Sequence, residues 1–139
     1  MGLMFKVASG IHVTLFRLTG GRIGSAMRGQ KIMLLTTTGN KSGKERTVPI
    51  MCFEDGGRRF VVASAAGSTQ HPAWFKNLEK TPAVKAELRG ERYTGQAAVL
   101  SGEERDRMYK KISAVAPGFA EYEKKTGGRV IPVVEIKRA

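Results

Sequence analysis

The sequence predicts an α+β fold, a small barrel or half-barrel of about six mostly antiparallel strands with peripheral helices. Three observations carry this expectation. Short β-favouring runs separated by glycine-containing turns occupy residues 32–37, 46–53, 59–63, 84–88, 93–100 and 130–136. Helical patterns stand at the start, the middle and near the end of the chain, without the regular strand–helix alternation of a doubly wound parallel sheet. With 139 residues, of which 41% are hydrophobic, the chain has material for one modest core and hence for a single domain over 1–139.

Residues 3–19 read as a helix, because Met4, Val7, Ile11, Leu15 and Leu18 recur at spacings of three and four on one face. Gly20 and Gly21 end it, and residues 1–30 form an N-terminal helix and connector ahead of a core over 31–139. The apolar run 32–37 is the first strand. A polar, glycine-bounded loop over 38–44 leads into the second, from Arg46 to Phe53. Glu54, Asp55, Gly56 and Gly57 signal a hairpin turn into a third strand over 59–63. The small residues 64–70 read as a loop. His71 and Pro72 then open a helix carrying Trp74, Phe75 and Leu78, which Thr81 and Pro82 stop. Strands over 84–88 and 93–100 turn at Arg89, Gly90 and Glu91. Ser101 with Glu104 three residues on is a capping pattern, with the Ser101 hydroxyl expected to accept from the backbone of a helix running to about residue 115. Pro117 and Gly118 break that helix, a short one follows over 119–125, and a last strand covers 130–136.

The charge balance is unusual. Lys and Arg number 24 against 12 Asp and Glu, a net charge of +12, which favours an anionic partner: nucleic acid, an anionic membrane surface or a phosphorylated small molecule. The lone Cys52 excludes an internal disulfide and a cysteine zinc site, and its apolar neighbours mark it as a buried thiol. His12 and His71 are the only histidines and no HExxH pattern occurs, so no metal site is expected. No stretch is long enough to span a membrane, and Lys6, His12 and Arg17 interrupt anything like a signal peptide. A cytoplasmic protein is expected, with residues 3–19 able to lie on an anionic membrane surface. Neither GxGxxG nor GxxxxGK[ST] is present.

Two segments could hold a ligand. Lys41, Ser42, Lys44 and Arg46, on a loop that also holds Gly39 and Gly43, could share one phosphate through cations, a hydroxyl and backbone N–H groups. Ser64, Ala65, Ala66, Gly67 and Ser68 follow a strand directly, and their small side chains leave room for a flat ligand against the backbone. Trp74 and Phe75 are suited to stacking on a ring or to the core.

Several stretches in order, LLTTTGNKSG over 34–43, RTVP over 46–49, VAS over 62–64, HPAWFKNL over 71–78, EER over 103–105 and IPVV over 131–134, resemble the deazaflavin-dependent nitroreductase and quinone reductase family, whose cofactor is coenzyme F420. The resemblance implies a split β-barrel of the FMN-binding split-barrel kind and an F420H2-dependent reductase. It also implies a cofactor with a phosphate and an oligoglutamate tail, which suits the positive charge. Carried over by position, Asn40, Lys41 and Ser42 match the phosphate and tail loop. Arg46, Thr47, Val48, Pro49, Ile50 and Met51 match the strand flanking the cofactor. Val62, Ala63, Ser64 and Ala65 match the backbone against the deazaflavin ring. Ala73, Trp74, Phe75, Lys76 and Asn77 match the helix start on its other side, and Phe119 a wall of the site.

On the acceptor side the chain departs from the nitroreductase branch. Where that branch carries aromatic hydroxyls, positions 116 and 119 are Ala and Phe, and only Tyr122 keeps the hydroxyl. The resemblance therefore implies a roomier, less polar pocket for quinones or activated C=C acceptors such as enones. Ser64 and Tyr122 are the candidate catalytic residues, as donors of the proton that accompanies hydride transfer. Two other readings of the residues are an FMN-binding split-barrel protein, whose phosphate the loop 41–46 would also suit, and a basic nucleic-acid-binding module. Against the second, the basic residues are scattered and no RNA-binding motif or zinc finger appears.

Overall fold

The computed structural model describes residues 31–139. The expected helix over 3–19 and the connector over 20–30 lie outside the described residues. Strands β1 (Lys31–Thr38), β2 (Glu45–Asp55) and β3 (Arg58–Val62) come first, followed by helix α1 (Ala73–Lys80). Strands β4 (Ala83–Leu88) and β5 (Glu91–Val99), helices α2 (Gly102–Val115) and α3 (Gly118–Lys125), and strand β6 (Val133–Arg138) complete the chain. The strands close into a barrel in the order β1-β2-β3-β6-β5-β4, with β4 paired back onto β1, and every pairing is antiparallel. Three of the pairings are hairpins whose turns the glycines make. Asp55 opposes Arg58 across Gly56 and Gly57, and Leu88 opposes Glu91 across Arg89 and Gly90, the last two at φ 52° and 82°.

Period-two alternation sorts the side chains between two cores. Met33, Leu35, Cys52, Val61, Val84, Ala86, Leu88, Val134 and Ile136 point into the barrel. Phe75 and Leu78 of α1 join that cluster at 2% and 1% exposure, so α1 plugs one end of the barrel. Burying each of these two side chains is worth roughly 1.5–3 kcal/mol. Phe53, Phe60, Val62 and Val133 face outward and are covered by Met108, Tyr109 and Ile112 of α2 and Phe119 of α3. Buried Arg105 of α2 ties this layer down, with Nε and Nη2 donating to Ile131 O at 3.0 and 2.8 Å, and Tyr109 OH donates to Phe119 O.

Two expectations need correction. The last strand begins at Val133 rather than residue 130, because Ile131 O is taken by the Arg105 guanidinium and Pro132 O by Ala63 N at 3.0 Å. Ser101 is the N-cap of α2 in extended backbone, as expected, but its hydroxyl makes no capping bond; its carbonyl accepts from Arg105 N at 3.3 Å.

Candidate functional site

The loop between β1 and β2 is built by its own backbone. Gly39 N donates to Lys44 O at 2.7 Å and Gly43 N to Gly39 O at 3.0 Å. A Cβ on Gly39 would stand 2.6 Å from Ser42 Oγ and 3.0 Å from Lys44 O, so the close approach requires glycine there. Asn77 of α1 locks the loop to the barrel. Its Nδ2 donates to the hydroxyl of buried Thr37 at 3.1 Å, and its Oδ1 accepts from Asn40 N at 2.9 Å. Lys80 Nζ donates to Asn40 O at 3.1 Å. Asn77 thus acts on the loop that the sequence pointed to, rather than presenting a free amide. Thr47, the first expected cofactor contact beyond Arg46, shares a 2.7 Å hydroxyl–hydroxyl bond with Thr36 across the β1–β2 pair.

The charges on this side are uncompensated. Lys41, Lys44 and Arg46 on the loop and Lys76 on α1 are exposed, and no carboxylate pairs with any of them among the described residues. The nearest acidic residue in the chain, Glu45, is bound to Lys85 at 2.8 Å. Such a group of exposed cations on and beside one loop fits an anion with several charges.

The segment after β3 takes an uncommon conformation. Ser64 is right-handed, and then Ala65, Ala66 and Gly67 lie at φ 47°, 54° and 83°. Holding two alanines there costs roughly 1–2 kcal/mol each. The turn brings small side chains and backbone to the surface where a flat ring was expected, with Ser64 and Ala65 half-buried and Ala66 exposed. Gly67 is pressed against α3: a Cβ there would meet Tyr122 O at 2.8 Å and Lys125 Cβ at 3.1 Å. His71 closes the segment on the ring of Phe75, centroid to centroid 4.8 Å, and Trp74 meets Phe75 edge-on at 6.3 Å. Phe75 is therefore core, whereas Trp74 is half-buried and Ala73 exposed at the start of α1.

An apolar cleft of about 180 Å³ opens beside Met51 and is lined by 115–119 and Tyr122. Phe119 stands edge-on to both Phe53 and Tyr122, at 5.6 and 5.7 Å. The cleft brings together Phe119 and Tyr122, and adds Met51, which the resemblance puts on the strand flanking the cofactor. Val48 and Ile50, on the opposite face of β2, pack on the barrel interior instead. Ala116 and Gly118 add no polar group to the cleft, in keeping with its expected lack of hydroxyls.

Sequence reasoning missed Arg129, which contacts the 63–71 segment at four points, and Thr37, which anchors Asn77. The Gly127–Gly128 pair just before Arg129 was the only local signal, and its partners lie some sixty positions away in the chain. Cys52 is buried, and burial with Glu54 nearby pushes its thiol up to about 11, so it is no nucleophile. Among the described residues no group of His, Cys, Asp and Glu could hold a metal ion, and no helix is long and apolar enough to cross a membrane.

The described residues thus hold a basic loop, a left-handed turn of small residues and, across α3 from that turn, an apolar cleft. Residues 8–137 match the family described as F420H(2)-dependent quinone reductase. The chain belongs to that family. It is similar to F420H(2)-dependent quinone reductase Rv1261c of Mycobacterium tuberculosis, with 31% identity over 132 residues, covering 92% of this chain and 88% of the relative. A solved F420-H2 dependent reductase (FDR-A) superposes with a TM-score of 0.69 at 40% identity, over 76% of this chain and 93% of that one. A putative pyridoxamine 5'-phosphate oxidase from Listeria innocua shares the barrel at a TM-score of 0.53 and 13% identity, over 86% of this chain and 93% of that one. The split-barrel fold and an oxidoreductase dependent on reduced F420 are thereby established, and the FMN-protein and nucleic-acid readings fall away.

Proposed function

We propose that this F420H2-dependent reductase passes hydride to a quinone-type acceptor lodged in the cleft of Met51, Phe119 and Tyr122. The observation that carries this reading is the presence of two unlike surfaces in one small barrel. Cations without carboxylate partners crowd the loop and α1, and an apolar cleft lies across α3 from the left-handed turn. A ligand with an anionic tail and a flat ring suits the first surface, and a flat apolar acceptor suits the second.

In this reading Lys41, Lys44 and Arg46 bind phosphate and carboxylate groups, with Arg46 able to grip two oxygens at once. Lys76 adds charge from α1. Asn40 through its side-chain amide and Ser42 through its hydroxyl add donors, while the β2 residues Arg46 to Met51 run alongside. Ser64 and Ala65 seat the ring in front of Val62 and Ala63, which are buried in the two cores rather than open to a ligand, and Ala73 and Trp74 border it. Reduced F420, when bound, supplies the hydride. The quinone gains that hydride and one proton and leaves as a hydroquinone. Ser64 and Tyr122 are the candidate proton donors, with solvent as the other source. The cleft excludes water and holds the acceptor flat by edge contacts from Phe119 and Tyr122. Enones fit the same cleft, since they also take hydride at carbon and a proton. Residues 3–19, with their apolar stripe and no acidic residue, are suited to an anionic membrane surface, where long-chain quinones dissolve.

The test is oxidation of F420H2, followed by its absorbance, with naphthoquinones, cyclohexenone and a nitroimidazole as acceptors. Turnover strongest with naphthoquinones supports the reading, and a preference for the nitroimidazole contradicts it. If Tyr122→Phe and Ser64→Ala each keep wild-type turnover, the proton comes from solvent. Flotation with anionic liposomes, with and without residues 3–19, tests the membrane contact.

A further inference from the structure

Among the described residues, Arg129 is the one side chain that spans the whole ring-seating turn. It lies in the connector between α3 and β6. Its Nη2 donates to Ser64 O at 2.7 Å, Nη1 to Ala63 O at 3.1 Å, and Nε to Ser68 O at 2.9 Å. Nη1 also meets His71 Nδ1 at 2.8 Å. A guanidinium only donates, so Nδ1 must be the acceptor and the imidazole neutral. The four acceptors bracket Ala65, Ala66 and Gly67, the left-handed residues, from both sides. Nothing within the turn matches this. Its own backbone bonds are two, Gly67 N to Ser64 O at 2.9 Å and Ser68 N to Ala65 O at 3.0 Å. Unlike Arg58, which is bound to Glu135 and Glu104, Arg129 has no carboxylate partner among the described residues. A half-buried guanidinium left unneutralised beside a turn is disfavoured for stability alone, but it suits an anionic ligand lying on that turn.

We propose that Arg129 is the positioning residue of the cofactor seat: its fork of donors to Ala63, Ser64, Ser68 and His71 holds Ala65 and Ala66 left-handed, and so sets the surface against which the ring lies. This rests on the reading that the ring lies on residues 62–65. Arg129 acts through the turn and not on the reacting atoms. Lysine keeps the charge but cannot reach four acceptors in one plane, so charge and geometry are separable.

The test is a fluorescence titration of coenzyme F420 against the full-length protein, with thermal melting of each variant in parallel. Arg129→Lys is expected to weaken F420 binding by ~10-fold or more, with a melting temperature close to wild type. Arg58→Ala, at the opposite end of β3 from the turn, is expected to lower the melting temperature and leave F420 binding within twofold. Glycine adopts the left-handed conformation freely, so adding Ala66→Gly to Arg129→Lys is expected to recover most of the lost affinity. F420 affinity of Arg129→Lys within twofold of wild type would overturn the proposal, as would failure of Ala66→Gly to restore it. Should Arg129→Lys prove too unstable to titrate, the turn is held by His71→Gln and Ala66→Gly instead: a loss with the first and none with the second is expected, and the reverse overturns the proposal. Wild-type affinity in a Lys41→Ala/Arg46→Ala protein would sink the cofactor-seat reading itself, separately from the role of Arg129.

Discussion

The two ends of one barrel use the same residue types to opposite effect. At the end where β1 begins and the β2–β3 and β4–β5 hairpins turn, Glu54 bonds Lys31, Arg59 and Arg89, and Glu91 bonds Arg59 and Arg138. Arg59 and Arg138 stack on Tyr93 at 5.2 and 4.4 Å from its ring centre. The charges there satisfy one another and close the barrel. At the other end, around the β1–β2 loop and α1, Lys41, Lys44, Arg46 and Lys76 have no such partners, and the backbone beside them is held in left-handed conformations. Ion pairs on a surface contribute little each but leave no charge to offer. Unpaired cations repel one another and contribute nothing to folding, so their concentration at one end suits the anion site proposed there. Ion pairing is concentrated at the first end, where Arg89 alone among non-glycines is left-handed, whereas the second end holds two consecutive left-handed alanines, as expected where a scaffold holds a functional turn.

The comparison can be broken at its strained end first. Gly67→Ala places a methyl 2.8 Å from Tyr122 O at φ 83°, and should destabilise the fold by about 2–4 kcal/mol in a denaturant melt. Asn77→Ala leaves Thr37 Oγ1 and Asn40 N without their partner. It should cost about 1–3 kcal/mol and weaken F420 binding, because the loop loses its tie to the barrel. Glu54→Gln, at the paired end, should cost about 1 kcal/mol in the same melt and leave F420 binding unchanged. An equal loss of affinity in Glu54→Gln would show that the two ends are not separate in function.

Much of this division was legible in the sequence, and the reason is local. Hairpins announce themselves through Gly56–Gly57 and Gly90, and the loop through Gly39 and Gly43, because turn geometry depends on neighbouring residues. The basic loop, the small-residue turn, Phe119 and Tyr122 likewise stand out in the sequence as candidates, although naming the cofactor takes the combined motifs. What stayed hidden are the long-range bonds. Closure of β4 onto β1 and the pairing of β3 with β6 leave no mark on either strand alone. Arg129 reads as one more surface cation until folding brings Ala63 and Ser64 to it from 66 and 65 positions away. The start of β6 was misplaced for the same reason: Ile131 looks like strand, but its carbonyl belongs to Arg105.

Acid should separate the two ends by titration. Burial and the Arg129 charge, with a smaller contribution from Lys76 and only Glu79 opposing, hold the His71 imidazole below its ordinary value of 6.5. The folded form thus resists the proton that the unfolded chain takes up, and the turn loses stability as pH falls below 6.5. Glu54, Glu91 and Glu135 are held below 4.5, chiefly by hydrogen bonds from Lys31, Arg138 and Arg58, so their contribution is present above 4.5 and lost below it. Hydrogen exchange followed from neutral to acid pH should show residues 63–71 opening first and the hairpin end later. The shift is the smallest effect expected, and His71→Gln should abolish its first stage.

The measurement that bears most directly on the division is a titration of coenzyme F420 at low and high salt, on wild type, Lys41→Ala/Arg46→Ala and Arg58→Ala. Loss of two charge-assisted contacts should weaken binding by about 100-fold in the loop variant and flatten its salt dependence, with Arg58→Ala indistinguishable from wild type. Equal affinity in all three proteins, or a larger loss in Arg58→Ala, would contradict the account.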